Sequence, residues 1–80
     1  MTTYNGHRSK AYWNVSLWIN NDEGLYNLAR ECIRRARRHG GKQAAARMML
    51  DTLTECGQQA TPDGHHYSES KIRAAMVGID

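Results

Sequence analysis

Basic side chains are concentrated in one short stretch of this sequence, and they are its best candidates for chemistry. Between Arg30 and Lys42 there are six basic residues and one acid, Glu31, so the stretch carries a net charge of +5. Five of the six are arginines, whose planar guanidinium groups pair well with carboxylate or phosphate groups. The candidate partner-binding residues are therefore Arg30, Arg34, Arg35, Arg37, Arg38 and Lys42.

On an α-helix most of these arginines share one face. At about 100° per residue, Arg34 lies about 40° from Arg30, and Arg37 lies about 20° from Arg30 on the other side. Arg38 lies about 80° away, with Arg35 at the flank. The apolar residues of the same stretch fall between about 160° and 300°, on the opposite side. The arginines form either a solvated face that complements the helix dipole or a surface that binds an acidic partner.

Other reactive residue types do not form a recognisable catalytic or metal-binding motif. Cys32 and Cys56 lack the short spacing of a zinc ligand pair, and we expect both to be small core residues. The pair His65-His66 lies in a predicted loop, where we expect both side chains to face solvent. The sequence contains no nucleophile motif, phosphate loop or dinucleotide fingerprint. We therefore expect a protein that is not an enzyme and uses no cofactor or metal.

Three segments show the periodicity of amphipathic helices. They are predicted over Asp22–His39, over Lys42–Cys56, and from Ser68 or Ser70 to the end of the chain. The pair Gly40-Gly41 separates the first two. Between the second and third, Pro62-Asp63-Gly64 is typical of a turn, which predicts an ordered loop over 58–67.

The segment 11–20 fits two structures. Its apolar residues mostly alternate with polar ones, which is typical of a strand, but no other segment offers a convincing partner strand. As a helix capped by Ser9, the segment places Val15 and Ile19 on one apolar face, and Trp13 and Leu17 on a second. We therefore predict an all-α domain of about four short helices. The alternative is an α+β fold with a short strand at 11–20.

Length and charge narrow the function further. Eighty residues are enough for one small domain, 1–80, and too few for the large barrel or doubly wound catalytic folds. The net charge of +3 combines the basic stretch with a remainder of −2. No stretch is apolar enough to span a membrane, and the N-terminus lacks the apolar region of a secretory signal. We expect a protein of the cytoplasm with no membrane partner.

Two parts of the chain resemble small uncharacterised proteins of phages, prophages and related mobile elements. One comprises Tyr4-Asn5-Gly6 and the run Tyr-Trp-Asn-Val-Ser-Leu-Trp-Ile-Asn-Asn-Asp-Glu-Gly-Leu-Tyr over 12–26. The other comprises Thr-Pro-Asp-Gly over 61–64, Tyr67-Ser68, and the segment 72–76. The resemblance covers about half the chain. It implies no catalytic role and places the protein in a bacterial host cell.

Size and the setting of such proteins lead to a functional expectation, since many small prophage proteins inhibit host defences. We expect an anti-CRISPR protein that binds a type I CRISPR surveillance complex (Cascade), in particular type I-C, and blocks its binding of target DNA. The alternative is a small basic nucleic-acid-binding accessory or regulator of a mobile element, which would use the same arginines on phosphates. Both a monomer and a homodimer remain open.

Overall fold

The computed structural model describes residues 9–79 and confirms an all-α fold. Its four helices are α1 (Lys10–Asn21), α2 (Glu23–Ala36), α3 (Gly41–Glu55) and α4 (Glu69–Met76). The segment 11–20 is therefore helical, and the alternative of a strand there is wrong. Within residues 9–79 the β-type pairing is a single isolated bridge between Ala60 and His66. A helix satisfies its backbone groups internally, whereas a strand at 11–20 would have needed a partner strand.

Short polar side chains cap three of the helices at their N-termini. Ser9, Asp22 and Ser68 each accept a hydrogen bond from the backbone N–H three residues further on. Asp22 also caps the C-terminus of α1, because its own N–H donates to the carbonyl of Trp18. One residue thus ends α1 and begins α2, which makes the corner between them sharp.

The four helices pack as a closed ring around one core. α1 contacts α2 and α4, and α3 likewise contacts both α2 and α4. The apolar positions predicted for α2, α3 and α4 supply most of the buried side chains, and Tyr67 joins them from the loop. The core consists of Val15, Ile19, Ala29, Cys32, Ile33, Ala36, Ala45, Ala46, Met49, Leu53, Tyr67, Ile72, Ala75, Met76 and Ile79.

The second apolar face predicted for α1 is not buried. Leu17 is 38% exposed and Trp13 is half-buried, whereas Val15 and Ile19 on the first face are fully buried. The physical reason is the place of α1 in the ring, where it packs mainly against α2 and α4. These two neighbours cover one broad side of α1 and leave the other open.

α2 is shorter than predicted. It ends at Ala36, and the predicted final residues lie in the turn 37–40. Gly40 has φ of +99°, and a Cβ atom there would lie 2.7 Å from the Cβ atom of Ala44. The close approach and the left-handed conformation both require glycine at the start of α3. This tight connection makes α2 and α3 antiparallel neighbours.

The C-terminal helix also ends earlier than predicted. α4 stops at Met76, after which Gly78 takes a positive φ of 90°. Ile79 was expected on the helix, and it reaches the core from this turn, where its N–H donates to the carbonyl of Met76. Val77 is 73% exposed, so the turn buries one of its two apolar side chains.

A hydrogen-bond network joins α1 to the loop between α3 and α4. Asn14 is buried, and its amide N–H donates to an Asp63 carboxylate oxygen at 2.8 Å. The indole N–H of Trp18 donates to the same oxygen at 3.0 Å. The hydroxyl of the buried Thr61 donates to the Asn14 carbonyl oxygen at 2.6 Å. We call this set, Asn14, Trp18, Thr61 and Asp63, the α1–loop network.

The predicted turn supplies the loop side of this network. The N–H of Gly64 donates to the carbonyl of Thr61 at 2.8 Å, which closes the turn over Pro62 and Asp63 as the sequence indicates. The N–H of Thr61 donates to His65, and the N–H of Tyr67 donates to Gln59. These bonds make 59–67 a small rigid hairpin, so the prediction of an ordered loop is confirmed.

Removing the Asn14 amide should destabilise the domain. We expect Asn14→Ala to lower the free energy of unfolding by about 2 kcal/mol, because it removes a bond to a carboxylate and leaves Thr61 without its acceptor. Urea denaturation measures this loss. Asn20→Ala, an exposed position on the same helix, is the matched control and should change stability by less than about 0.5 kcal/mol. Equal effects of the two substitutions would contradict a structural role for the network.

The network should also make stability depend on pH. Hydrogen bonds from Asn14 and Trp18 hold the pKa of the Asp63 carboxyl below its ordinary value. A carboxyl whose pKa is depressed in the folded state stabilises the protein at neutral pH, and this contribution is lost as the pH falls through the folded-state pKa. We therefore expect Asp63→Asn to flatten the loss of stability that the wild type shows as the pH falls through and below the ordinary pKa of an aspartate, measured by urea denaturation. Asp51→Asn should retain the wild-type profile.

Candidate interaction surface

Three of the predicted arginines line one surface depression. Arg30, Arg34 and Arg37 surround a depression of about 390 Å³ together with Asn27 and Glu31. Arg30 and Arg34 are exposed on α2, and Arg37 is exposed in the first position after it. Arg37 keeps helical backbone angles, φ −51° and ψ −38°, so it continues the line of the helix although the helix has ended. We call these three residues the arginine face.

Glu31 orders two arginines of the stretch. Its carboxylate pairs with Arg34 through one oxygen and with the Nε of Arg35, at 3.0 Å, through the other. Hydrogen bonds from Arg35 and then Arg34 hold the pKa of the Glu31 carboxyl below its ordinary value. Both arginines remain about 70% exposed (71% and 70%), so the pairing orients their guanidinium groups and leaves them accessible.

Arg30 is held by an aromatic ring. Its guanidinium carbon lies 6.0 Å from the centre of the Tyr26 ring, at the outer limit of a cation–π contact. Tyr26 lies one turn earlier on α2 and is half-buried. The face therefore begins with a cation that rests on an aromatic ring.

The other three predicted partner-binding residues do not line this depression. Arg35 lines a groove between α2 and α3, with Leu28 and Met48. Lys42 is half-buried and lines a separate depression with Ile33, Ile79 and Arg37. Arg38 is exposed in the turn that follows α2. The structure thus brings Arg30, Arg34 and Arg37 together and distributes the other three around the same end of the molecule.

The two cysteines differ in burial, and so do His65 and His66. Cys32 is buried as predicted, and burial raises the pKa of its thiol. Cys56 is exposed, so its assignment to the core is wrong; it follows the last residue of α3, beyond the packed face. His66 is exposed as expected, whereas His65 is half-buried. Within residues 9–79 no group of three potential ligands is arranged to hold a metal ion.

Comparison with known protein families gives one match. The chain matches, over residues 1–79, a family of unknown function, DUF7249. It belongs to this family. A search of curated proteins and a search of solved structures returned no match. For this DUF7249 protein the family therefore leaves the activity open, and its residues and geometry must supply the functional argument.

In this DUF7249 protein, the two segments that resemble phage proteins are in contact with each other. Asn14 and Trp18 belong to the first, Thr61 and Asp63 to the second, and the α1–loop network connects them. The roles of Asn14, Thr61 and Tyr67 were missed from the sequence. No signal in the sequence pointed to them, because these contacts join residues 45 to 49 positions apart in the chain.

None of the helices within residues 9–79 is both long enough and apolar enough to cross a bilayer. The oligomeric state and the cellular compartment of the DUF7249 protein remain predictions. Tyr12 is half-buried and donates a hydrogen bond to Ser70.

The pairing of Glu31 with two arginines should be visible in its titration. We expect Arg35→Gln to raise the pKa of Glu31 toward the ordinary value of a glutamate, because the largest cause of the depression is removed. Carbon-detected NMR of the side-chain carboxyl measures the shift. Arg38→Gln removes an exposed arginine that does not pair with Glu31 and should leave the titration unchanged. If both variants titrate alike, the pairing is not present in solution.

Proposed function

We propose that this protein is a non-enzymatic inhibitor, encoded by a phage or prophage, that binds a type I CRISPR surveillance complex and blocks its binding of target DNA. In this proposal the arginine face makes the central contact. The observation that carries the binding role is the convergence of Arg30, Arg34 and Arg37 on one exposed depression, opposite the buried side of α2. The choice of target rests on the resemblance to phage and prophage proteins and on the small size of the chain.

The arginine face has the properties of a binding anchor. Arginine is enriched among the residues that dominate binding energy at protein interfaces. Two guanidinium groups of the arginine face are oriented before binding. Glu31 pairs with Arg34, and the Tyr26 ring lies beside Arg30. Orientation before binding lowers the entropy that long side chains lose in a complex. A stable interface needs about 800 Å² from each partner, and the whole chain exposes 5285 Å².

Charge indicates how the inhibitor would act. A protein that imitates DNA presents an acidic surface, whereas this face is basic. We therefore place the contact on an acidic protein patch of the complex or on the phosphates of its guide RNA. Inhibition would then follow from covering the DNA-binding region or from holding the complex in an unproductive state.

A nucleic-acid-binding accessory protein is the second candidate. The observation in its favour is the spacing of arginines along α2. Arg30 and Arg34 are about 6 Å apart along the helix axis, and phosphates are natural ligands of guanidinium groups placed in this way. Salt separates the two candidates. When a protein contacts phosphates directly, the logarithm of its binding constant falls with the logarithm of the salt concentration, with a slope of about −0.7 to −0.9 for each neutralised phosphate. Binding through a protein interface with an apolar centre depends less on salt.

The proposal predicts inhibition that depends on the arginine face. Purified type I-C surveillance complex is incubated with labelled target duplex, and the bound fraction is measured with increasing inhibitor. We expect wild-type protein to lower the bound fraction, and Arg30→Glu with Arg37→Glu to require at least about tenfold more protein, because two charged contacts become repulsive. This variant keeps the pairs of Glu31 with Arg34 and Arg35.

The matched control reverses two exposed arginines outside the face, Arg47→Glu with Arg73→Glu, and so has the same net charge as the test variant. It should inhibit as wild type does, and thermal unfolding should show that both variants are folded. Equal loss in both variants would assign the effect to overall charge and reject the arginine face. If wild-type protein neither binds the complex nor inhibits it, the proposed target is wrong; DNA binding with a steep salt slope would then favour the second candidate.

A further inference from the structure

A second cleft lies at the other end of the α2–α3 pair. It has a volume of about 440 Å³, within the range of small-ligand sites, and it lies where the start of α2, the end of α3 and the loop 58–67 meet. Its lining shares no residue with the depression of the arginine face. An inference about this cleft therefore does not depend on the function proposed above.

Aromatic and aliphatic side chains form the walls of the cleft. Trp18 and Tyr67 line it together with Leu25 and Leu28. The orientation of Trp18 is fixed, because its indole N–H donates to Asp63. Tyr67 is only 8% exposed and is held by its backbone bond to Gln59. Two positioned aromatic rings thus line the cleft, and Trp18 is the more exposed of the two.

One carboxylate lies among these walls. Asp22 lines the cleft and is exposed, and its Oδ1 accepts the N–H of Leu25. Its Oδ2 has no hydrogen-bond partner within residues 9–79. Burial raises the pKa of the Tyr67 hydroxyl, and the charge of Asp22 raises it further. A carboxylate with one oxygen left without a hydrogen-bond partner, in a cleft that aromatic rings also line, favours a cation.

The charged residues around the cleft are also negative, as Asp22 is. α2 and α3 are antiparallel, so the beginning of α2 and the end of α3 lie at one end of the molecule. Glu23 and Glu55 are exposed at that end, whereas Arg34, Arg35 and Arg37 lie at the opposite end. These acids favour the approach of a positively charged group to this end of the molecule.

We infer that this cleft binds an arginine side chain of a partner protein, with the guanidinium on the Asp22 carboxylate and its plane against the aromatic wall. Arginine fits better than lysine because a planar guanidinium stacks on an aromatic ring and donates hydrogen bonds at the same time. Leu25 and Leu28 are placed to cover the methylene groups of the side chain.

The experiment uses the full chain and the capped tripeptide acetyl-Gly-Arg-Gly-amide. Nitrogen–proton NMR follows the Trp18 indole signal and the backbone signals of Leu25 and Gln58 during titration. We expect saturable shifts with a dissociation constant on the order of 1 mM. The same tripeptide with citrulline, which has nearly the same shape without the charge, should bind at least about tenfold more weakly.

Asp22→Asn is the decisive variant. Asparagine caps a helix as well as aspartate does, so α2 should remain intact while the charge is removed. We expect this variant to bind the arginine tripeptide at least about tenfold more weakly. Asp51→Asn, which removes an exposed acid that does not line the cleft, is the matched control and should bind as wild type does.

Three results would overturn the inference. Equal binding by Asp22→Asn and wild type would show that the carboxylate does not hold the ligand. Equal binding of the citrulline tripeptide would show that the cleft does not recognise the positive charge. Shifts of the cleft signals on dilution, without peptide, would show that a second copy of the chain occupies it.

Discussion

The structure depends on the hydrogen bonds that Asn14 and Trp18 of α1 donate to Asp63. This carboxylate is the acceptor that ties the first helix to the loop between the third and fourth, across 49 and 45 residues of chain. Thr61 completes the arrangement, so that the buried amide of Asn14 is used on both its nitrogen and its oxygen. In a small core each such bond matters, because a buried polar group without a partner costs more than the bond contributes when made.

The same hydrogen bonds also fix the position of a residue that lines the cleft near Asp22. Fixing the Trp18 indole also sets one wall of the cleft near Asp22, and the hairpin around Pro62 brings Tyr67 into the same wall. The loop thus has two roles, since it closes the core with Tyr67 and it shapes the cleft. Rigid loops that a scaffold positions are common places for recognition in proteins.

Charge separation along the α2–α3 pair gives the molecule two different ends. Arginines gather near the tight turn at Gly40, and acids gather where α2 begins and α3 ends. Placing cations near the C-terminus of α2 and Glu23 in its first turn also complements the helix dipole, which explains part of this pattern without any partner. The helix dipole does not account for the ion pairs of Glu31 or for the Tyr26 ring beside Arg30. These contacts orient guanidinium groups that remain exposed.

The sequence by itself determined the helices α2, α3 and α4, their apolar faces and the turn at Pro62, since each follows from local spacing and local backbone chemistry. It also located the arginines on one side of α2. It left 11–20 open between helix and strand, and it misjudged Leu17 and Cys56, because their burial depends on which neighbours cover them. Only the tertiary structure decided which arginines converge, that Arg37 stays in line after α2 ends, and that Asn14 meets Thr61 and Asp63. These contacts join residues far apart in the chain, and no periodicity within a single segment records which distant partner a side chain will find.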